Sequence, residues 1–490
     1  MQSDALRRSV GIIPVSIQAI GSERPGNDLQ SSVPLLALVG VCLVLLALLL
    51  SQLAAPGLVF GVMALIVACV VVPARWPYGA FLVLATASVM PSLKVEIGGW
   101  NARPEHYAAF LVSVVLLSRL AFRRSSRITL AAPDYWVAAY AAWNYVSSAW
   151  MSPDPKMTLR WALLNNLVIL PYFLIRFLIT DQRLLRWMFK AFLGVGILEC
   201  AYAVLCYVSR HLLGTSFGVA VGQYAAGLEG VYGTHYEPNI LGSYSACLAI
   251  MLLVLVFLTP RTANWVIWGT VIALASLLIS LSRAAFLSFV FAALVLPFVG
   301  IRSGVVNPRR LLSLGLGIAL FTVPIAASGG KNLFARFANL SPDDVQGDVE
   351  TMGRLISVAE GLKNIAQHPI VGNGTASFQL LADPREVPIL GEQAWIANSV
   401  IRILHDTGVI GLLLFMGAIL SIGMRTKKAI AREAPEKAMV LALSAGCVVY
   451  VVAFMSAEGT MLSFFWVHVG LLSAACSFRT GDVSAAQGAG

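Results

Sequence analysis

Two arginines in apolar surroundings are the residues best suited to chemistry in this sequence. Arg283 is the only charge in LLISLSRAAFLSFVFAAL (277–294), and Arg354 lies in the amphipathic run GRLISVAEGLKNIA (353–366). A guanidinium stays charged, and its planar fork grips a phosphate through two hydrogen bonds at once. At the centre of a membrane-spanning helix an arginine costs roughly 2.5–3.5 kcal/mol. Arg283 avoids most of that cost, because long apolar runs on both sides place it at the turn between two spans. Snorkelling to the interface would account for it. So would an anion bound in a cavity that opens at the membrane surface.

Other polar residues stand where apolar ones would be expected. His235 and Glu237 precede Pro238, a residue suited to a first helical turn; capping or substrate contact would each explain them. Arg160 begins the run TLRWALLNN, with Asn165 and Asn166 further in, as cavity lining or as polar groups that satisfy one another across helices. Arg402 either extends a basic cavity or anchors its helix. Glu199 and Arg176 are charges within spans, His468 reads as a packed histidine, and the acidic run DDVQGDVE (343–350) as solvated loop.

The elements that must hold these residues follow from composition. Of 490 residues, 58% are hydrophobic and 12% charged, with a mean hydropathy of +0.80. Soluble domains carry about 25% charged residues, so the chain reads as an all-α polytopic membrane protein. Apolar runs of the length needed to cross a bilayer recur about fourteen times. They lie near 33–54, 57–73, 79–93, 105–121, 134–150, 160–180, 187–209, 237–258, 264–281, 284–300, 310–327, 399–423, 438–455 and 460–477. Residues 1–32 read as a polar tail rather than a signal peptide. The seven cysteines fall within predicted spans, with no CxxC pair, and suggest neither disulfide nor metal chemistry.

The net charge of +10 is mostly topogenic. With the N-terminus in the cytoplasm, the basic clusters FRRSSR (122–127), RLLR (183–186), NPRR (307–310) and RTKKAIAR (425–432) all fall inside, as the positive-inside rule requires. A nucleic-acid partner is not called for. This orientation divides the chain into a cytoplasmic tail (1–32), a bundle (33–327), a large extracytoplasmic loop (328–398), C-terminal helices (399–478) and a cytoplasmic tail (479–490). Cytoplasmic connections are short and hold no GxxxxGK[ST] loop, so nucleotide chemistry there is not expected. Within the large loop, Leu355, Val358, Ala359, Leu362, Ile365 and Ala366 recur at helical spacing, opposite Arg354, Ser357, Glu360, Lys363 and Asn364. This predicts a helix lying on the membrane or on the spans. His368-Pro369 ends it, and VGNG (371–374) supplies a turn.

Four stretches taken together resemble the O-antigen ligase/polymerase superfamily of bacterial membrane enzymes. They are HYEPNILGSYSACLAI (235–250), LSRAAF (281–286), GRLISVAEGLKNIAQHPIVGNGTASF (353–378) and ANSVIRILHDTGVIGL (397–412). The resemblance implies a type C glycosyltransferase-like bundle in the bacterial inner membrane, with its large loop over an outward-facing cavity. It also implies transfer of a glycan from undecaprenyl diphosphate to a glycan or lipid acceptor, with no metal and no cofactor. Membrane lipids, and polysaccharide export and chain-length proteins, are the further partners it names.

Carried over residue by residue, Arg283 and Arg354 would steady the departing diphosphate, and fixed cations there favour the transition state. Glu237, Pro238 and Asn239 match the segment that begins a span, and Asn398 and Gly408 the stretch entering the span after the loop. Ala397 stands where ligases typically carry a histidine. That departure favours a polymerase of surface or exopolysaccharide repeats over an O-antigen-type ligase, and leaves Glu392, His235 or Glu237 as candidate bases, with His405 a weaker choice. The expected catalytic set is therefore Arg283, Arg354, Glu392 and Asn398, with Arg160, His235, Glu237, Asn239 and Arg402 binding substrate. A transporter of lipid-linked sugars is the competing reading, but the sequence shows no internal repeat of the kind many transporters carry.

Overall fold

A computed structural model of the chain describes residues 67–93, 95–97, 100–122, 130–211, 213–214, 221–223, 229–258, 263–302, 349–383, 395–431 and 436–478. Its helices are α1 (Tyr78–Ser88), α2 (Pro104–Phe122), α3 (Ala132–Trp150), α4 (Pro155–Leu178), α5 (Gln182–His211), α6 (Pro238–Leu258), α7 (Asn264–Ile279), α8 (Arg283–Arg302), α9 (Val349–Ile365), α10 (Phe378–Leu381), α11 (Ser399–Ile430), α12 (Lys437–Ala453) and α13 (Ser463–Ala475). Two small antiparallel hairpins, β1 (Val95–Ile97) with β2 (Trp100–Ala102) and β3 (Val221–Gln223) with β4 (Glu229–Val231), join them. Among the described residues the protein is thus helical with two short strand pairs.

The expectation of about fourteen transmembrane helices in a type C bundle is overturned. Among the described residues, four helices are long and apolar enough to cross a membrane: α4, α5, α6 and α11. The spans expected near 33–54 and 310–327, and most of that near 57–73, lie outside the described residues. For the shortest helices the reason is length. At 1.5 Å per residue, the 11 residues of α1 and the 13 of α13 fall well short of a hydrocarbon core about 30 Å thick. Their apolar composition serves packing instead: every residue of α13 is buried. Hydropathy alone does not separate a helix that faces lipid from one enclosed by its neighbours.

The core centres on α6, apolar all round and buried from Pro238 to Val254. A helix without a polar face must be enclosed, and α6 packs among α7, α8 and α12. Close approach to the turn before α8 is set by Gly242, where a Cβ would lie 2.7 Å from Ser280 Oγ and 2.8 Å from Ser282 Cβ. Polar groups inside the bundle pair across helices. Ser245 Oγ lies 2.9 Å from Ser276 Oγ, and Asn166 donates to the Ala141 carbonyl at 2.9 Å. The intramembrane charge Arg176 forks onto Asp134, Nε to Oδ1 and Nη2 to Oδ2 at 3.3 Å each, which offsets the cost of holding it there. Tyr172 donates to the same carboxylate at 2.6 Å.

At the opposite end of the bundle, loops from distant parts of the chain meet. Ser92 donates to the Thr234 carbonyl, Arg103 to that of Met461 and Asn398 to that of Met455. These bonds gather the segments before α2, α6, α11 and α13 into one polar layer.

Candidate functional site

Helix α9 enters this layer with most of its polar side turned inward. Leu355 and Leu362 are 53% and 51% exposed, while Ser357, Glu360 and Asn364 are buried. Most of the apolar stripe faces away from the protein, although Val358 packs toward Phe378 and Ile396. The polar stripe, apart from exposed Lys363, faces in, and carries Arg354 toward the loop between α12 and α13, where Nη1 donates to the Ser456 carbonyl. Ser357 Oγ donates to the Arg354 carbonyl at 2.9 Å and accepts from the Ala397 amide at 3.4 Å, tying α9 to the start of α11.

Helix α11 is broken at Gly408, whose φ of 64° and ψ of −171° leave the helical region. A break exposes main-chain groups that lipid cannot satisfy, and the VGNG turn satisfies them. Asn373 and Gly374 donate to the carbonyls of His405 and Asp406, and Val409 and Ile410 donate to those of Pro369 and Ile370, at 2.9–3.2 Å. Helix α3 adds Trp143 Nε1 to the Thr407 carbonyl at 2.8 Å and Ser147 Oγ to that of Asp406 at 2.6 Å. Only glycine suits the crossing: a Cβ on Gly408 would lie 2.2 Å from the Ile370 carbonyl oxygen, and Gly372 sits at φ +86°.

Just before the break, three charged side chains meet. Arg402 Nε lies 3.3 Å from Asp406 Oδ2, and its Nη1 meets Glu458 Oε1 from the α12–α13 loop. Asp406 Oδ1 lies 2.9 Å from His405 Nδ1, and its Oδ2 also accepts from the Ala376 amide at 3.0 Å. Arg402 is therefore matched on two sides by carboxylates. Burial pushes the Glu458 carboxyl up to about 7; Arg402 opposes this, and Asp406 and Glu237 add to it.

The remaining expected residues divide between this layer and its surroundings. Asn398 caps α11 by accepting from the Ile401 amide at 3.0 Å, and donates to the Met455 carbonyl at 2.7 Å. Arg283 opens α8, half-buried, at the level where Gly242 of α6 packs on the turn. Asn239, buried, lies in the first turn of α6, and Glu237 just before it is exposed. Arg160, half-buried near the start of α4, neighbours Trp161, whose ring meets Trp395 edge-on at 5.6 Å. His235 is fully buried against Tyr244 and Phe464, with burial holding its imidazole down to about 3. Glu392 lies outside the described residues. Among the described residues, no group of three or more His, Cys, Asp and Glu side chains is placed to hold a metal ion.

Sequence reasoning missed Glu458 and Asp406. Glu458 had a usable signal, as the one acidic residue between Glu436 and Asp482. An ionisable group isolated in so apolar a stretch is a functional candidate by default.

Comparison with known families places residues 268–416 in register with the family model described as O-antigen ligase. The match covers under a third of the chain, and includes Arg283, Arg354, Asn398, Arg402 and Gly408. No curated protein matches the chain. The superfamily suggested by the sequence motifs is the one this match supports, at the level of a membrane enzyme acting on lipid-linked glycans.

Proposed function

Taking that match as the premise, we propose that the chain is a membrane glycosyltransferase of the O-antigen ligase type. It passes a glycan from a polyprenyl diphosphate carrier to an acceptor hydroxyl, at the outer face of the bacterial inner membrane. The observation that carries this reading is the inward turn of the polar face of α9, which brings Arg354 into the loop layer inside the family-matched stretch. Arg283, at the start of α8, adds a cation to a helix end that already favours anions. A departing diphosphate is the anion such a pair suits, and the two guanidiniums supply the countercharge as the glycosidic bond breaks.

Ala397 favours a second reading, in which the acceptor is another carrier-linked glycan and the product is a longer chain. The family match tips the balance to ligase-type transfer, with polymerisation next. Polysaccharide export and chain-length proteins are the partners that either reading would bring.

Both readings are tested by reconstituting the purified chain in lipid nanodiscs with a synthetic undecaprenyl-diphosphate oligosaccharide. Transfer to an added lipid acceptor, lost in Arg283→Ala and Arg354→Ala, is the expected result. A ladder of longer carrier-linked chains would make the protein a polymerase. Undiminished transfer in both variants would sink the arginine assignment.

A further inference from the structure

We propose that the Glu458 carboxylate accepts the proton that the acceptor hydroxyl sheds; this rests on the transfer reading above. In the step, the acceptor oxygen bonds to the anomeric carbon of the glycan. The bond from that carbon to the carrier's phosphate oxygen breaks, and its electron pair leaves on the diphosphate. The hydroxyl proton passes to Glu458 and afterwards to water.

The geometry singles out this side chain. The loop carrying it is fixed on both sides by residues of the family-matched stretch: Asn398 holds the Met455 carbonyl and Arg354 that of Ser456, while Ser399 Oγ accepts from the Gly459 amide at 3.2 Å. Of the three charges that meet here, Arg402 and Asp406 are 5% and 3% exposed and Glu458 is 14%, the least covered of the three. Asp406 is already engaged by His405, Arg402 and the Ala376 amide. His235 and His405 are sealed, and Ala397 has no proton to move.

The groups that act on Glu458 come from four directions. They are Arg402 and Asp406 on α11, Tyr236 and Glu237 before α6, Arg103 before α2, and Tyr140 on α3. Burial comes first, and Arg402 is shared between two carboxylates, so Glu458 retains affinity for a proton. Its titration near 7 is where a base is most effective.

The test uses the full chain in nanodiscs with the same synthetic carrier-linked oligosaccharide and a lipid acceptor. Wild type, Glu458→Gln, Glu458→Asp and Glu458→Ala with added formate are compared across pH. The wild-type rate is expected to fall as pH drops through about 7, following one ionisation. Glu458→Gln should lower kcat about 10²–10⁴-fold with KM unchanged, Glu458→Asp should keep part of the rate, and formate should restore Glu458→Ala. The proposal is overturned if Glu458→Gln keeps both the rate and the acid limb. It is equally overturned if the loss appears in KM with no rescue by formate, the mark of a mere partner for Arg402. Absence of transfer by the wild type itself would instead remove the transfer reading, and the proposal with it.

Discussion

Arg402 reaches Asp406 one turn further along the same helix, Nε to Oδ2 at 3.3 Å, and turns its other edge to Glu458. A buried cation held this way adds little stability relative to apolar packing, but removing it leaves its partners uncompensated. Arg402→Met is therefore expected to cost about 3–5 kcal/mol, read as a lowered thermal midpoint in detergent. Adding Asp406→Asn should recover part of the loss.

Gly408 is the residue on which the two parts of α11 pivot. An alanine there pays roughly 1–3 kcal/mol for a backbone conformation that essentially only glycine adopts, and its Cβ collides with the Ile370 carbonyl. Gly423 lies in the same helix with open space where a Cβ would stand. Gly408→Ala should destabilise by well over 2 kcal/mol, while Gly423→Ala stays within about 0.5 kcal/mol. Equal effects in thermal unfolding would mean that the break is not fixed by this crossing.

His235 makes stability depend on pH with a definite sign. Its folded pKa of about 3 lies below the ordinary value of 6.5, so the unfolded chain binds the extra proton between those limits. Stability accordingly rises as pH rises from about 3 to 6.5. His235→Phe, which keeps a ring against Tyr244 and Phe464, should flatten that slope in thermal midpoints taken from pH 4 to 7.

Glu458 acts in the opposite direction. Its folded pKa of about 7 exceeds the ordinary 4.5, so stability falls as pH rises between the two. Glu458→Gln should remove this decline, measured in the same series of thermal midpoints.

On the polar face of α9, Ser357→Ala removes a hydroxyl that serves two main-chain groups. A loss of about 1 kcal/mol is expected. Leu362→Ser, on the outward face, should change stability by no more than about 0.5 kcal/mol. The thermal midpoints of the two variants decide whether α9 is turned as described.

How much of this was legible in the sequence varied with the physics involved. Arg283 could be placed at a turn because apolar runs flank it, and α7 does end at Ile279 with α8 beginning at Arg283. The existence of α9 followed from its period, but its orientation did not. Periodicity reveals a stripe without saying what it faces, and beside a membrane lipid is as apolar as a core. The span count failed for a related reason, since α1 and α13 are as apolar as spans but too short to be them. Gly408 was noted by resemblance alone; its role needs the pairing with Pro369–Gly374, some thirty residues upstream, which no local pattern displays. Asp406 was hidden within a quoted motif, and Glu458 belonged to no motif.

The pairing of Val409 and Gly374 with their partners across the break has a bearing on biosynthesis. The VGNG segment leaves the ribosome before the helix it completes, and α11 cannot bury its broken turn until that segment has returned to meet it. Insertion of this helix and docking of the loop are therefore one event rather than two. A chain cut between residues 376 and 398 would have to find both halves before either was stable.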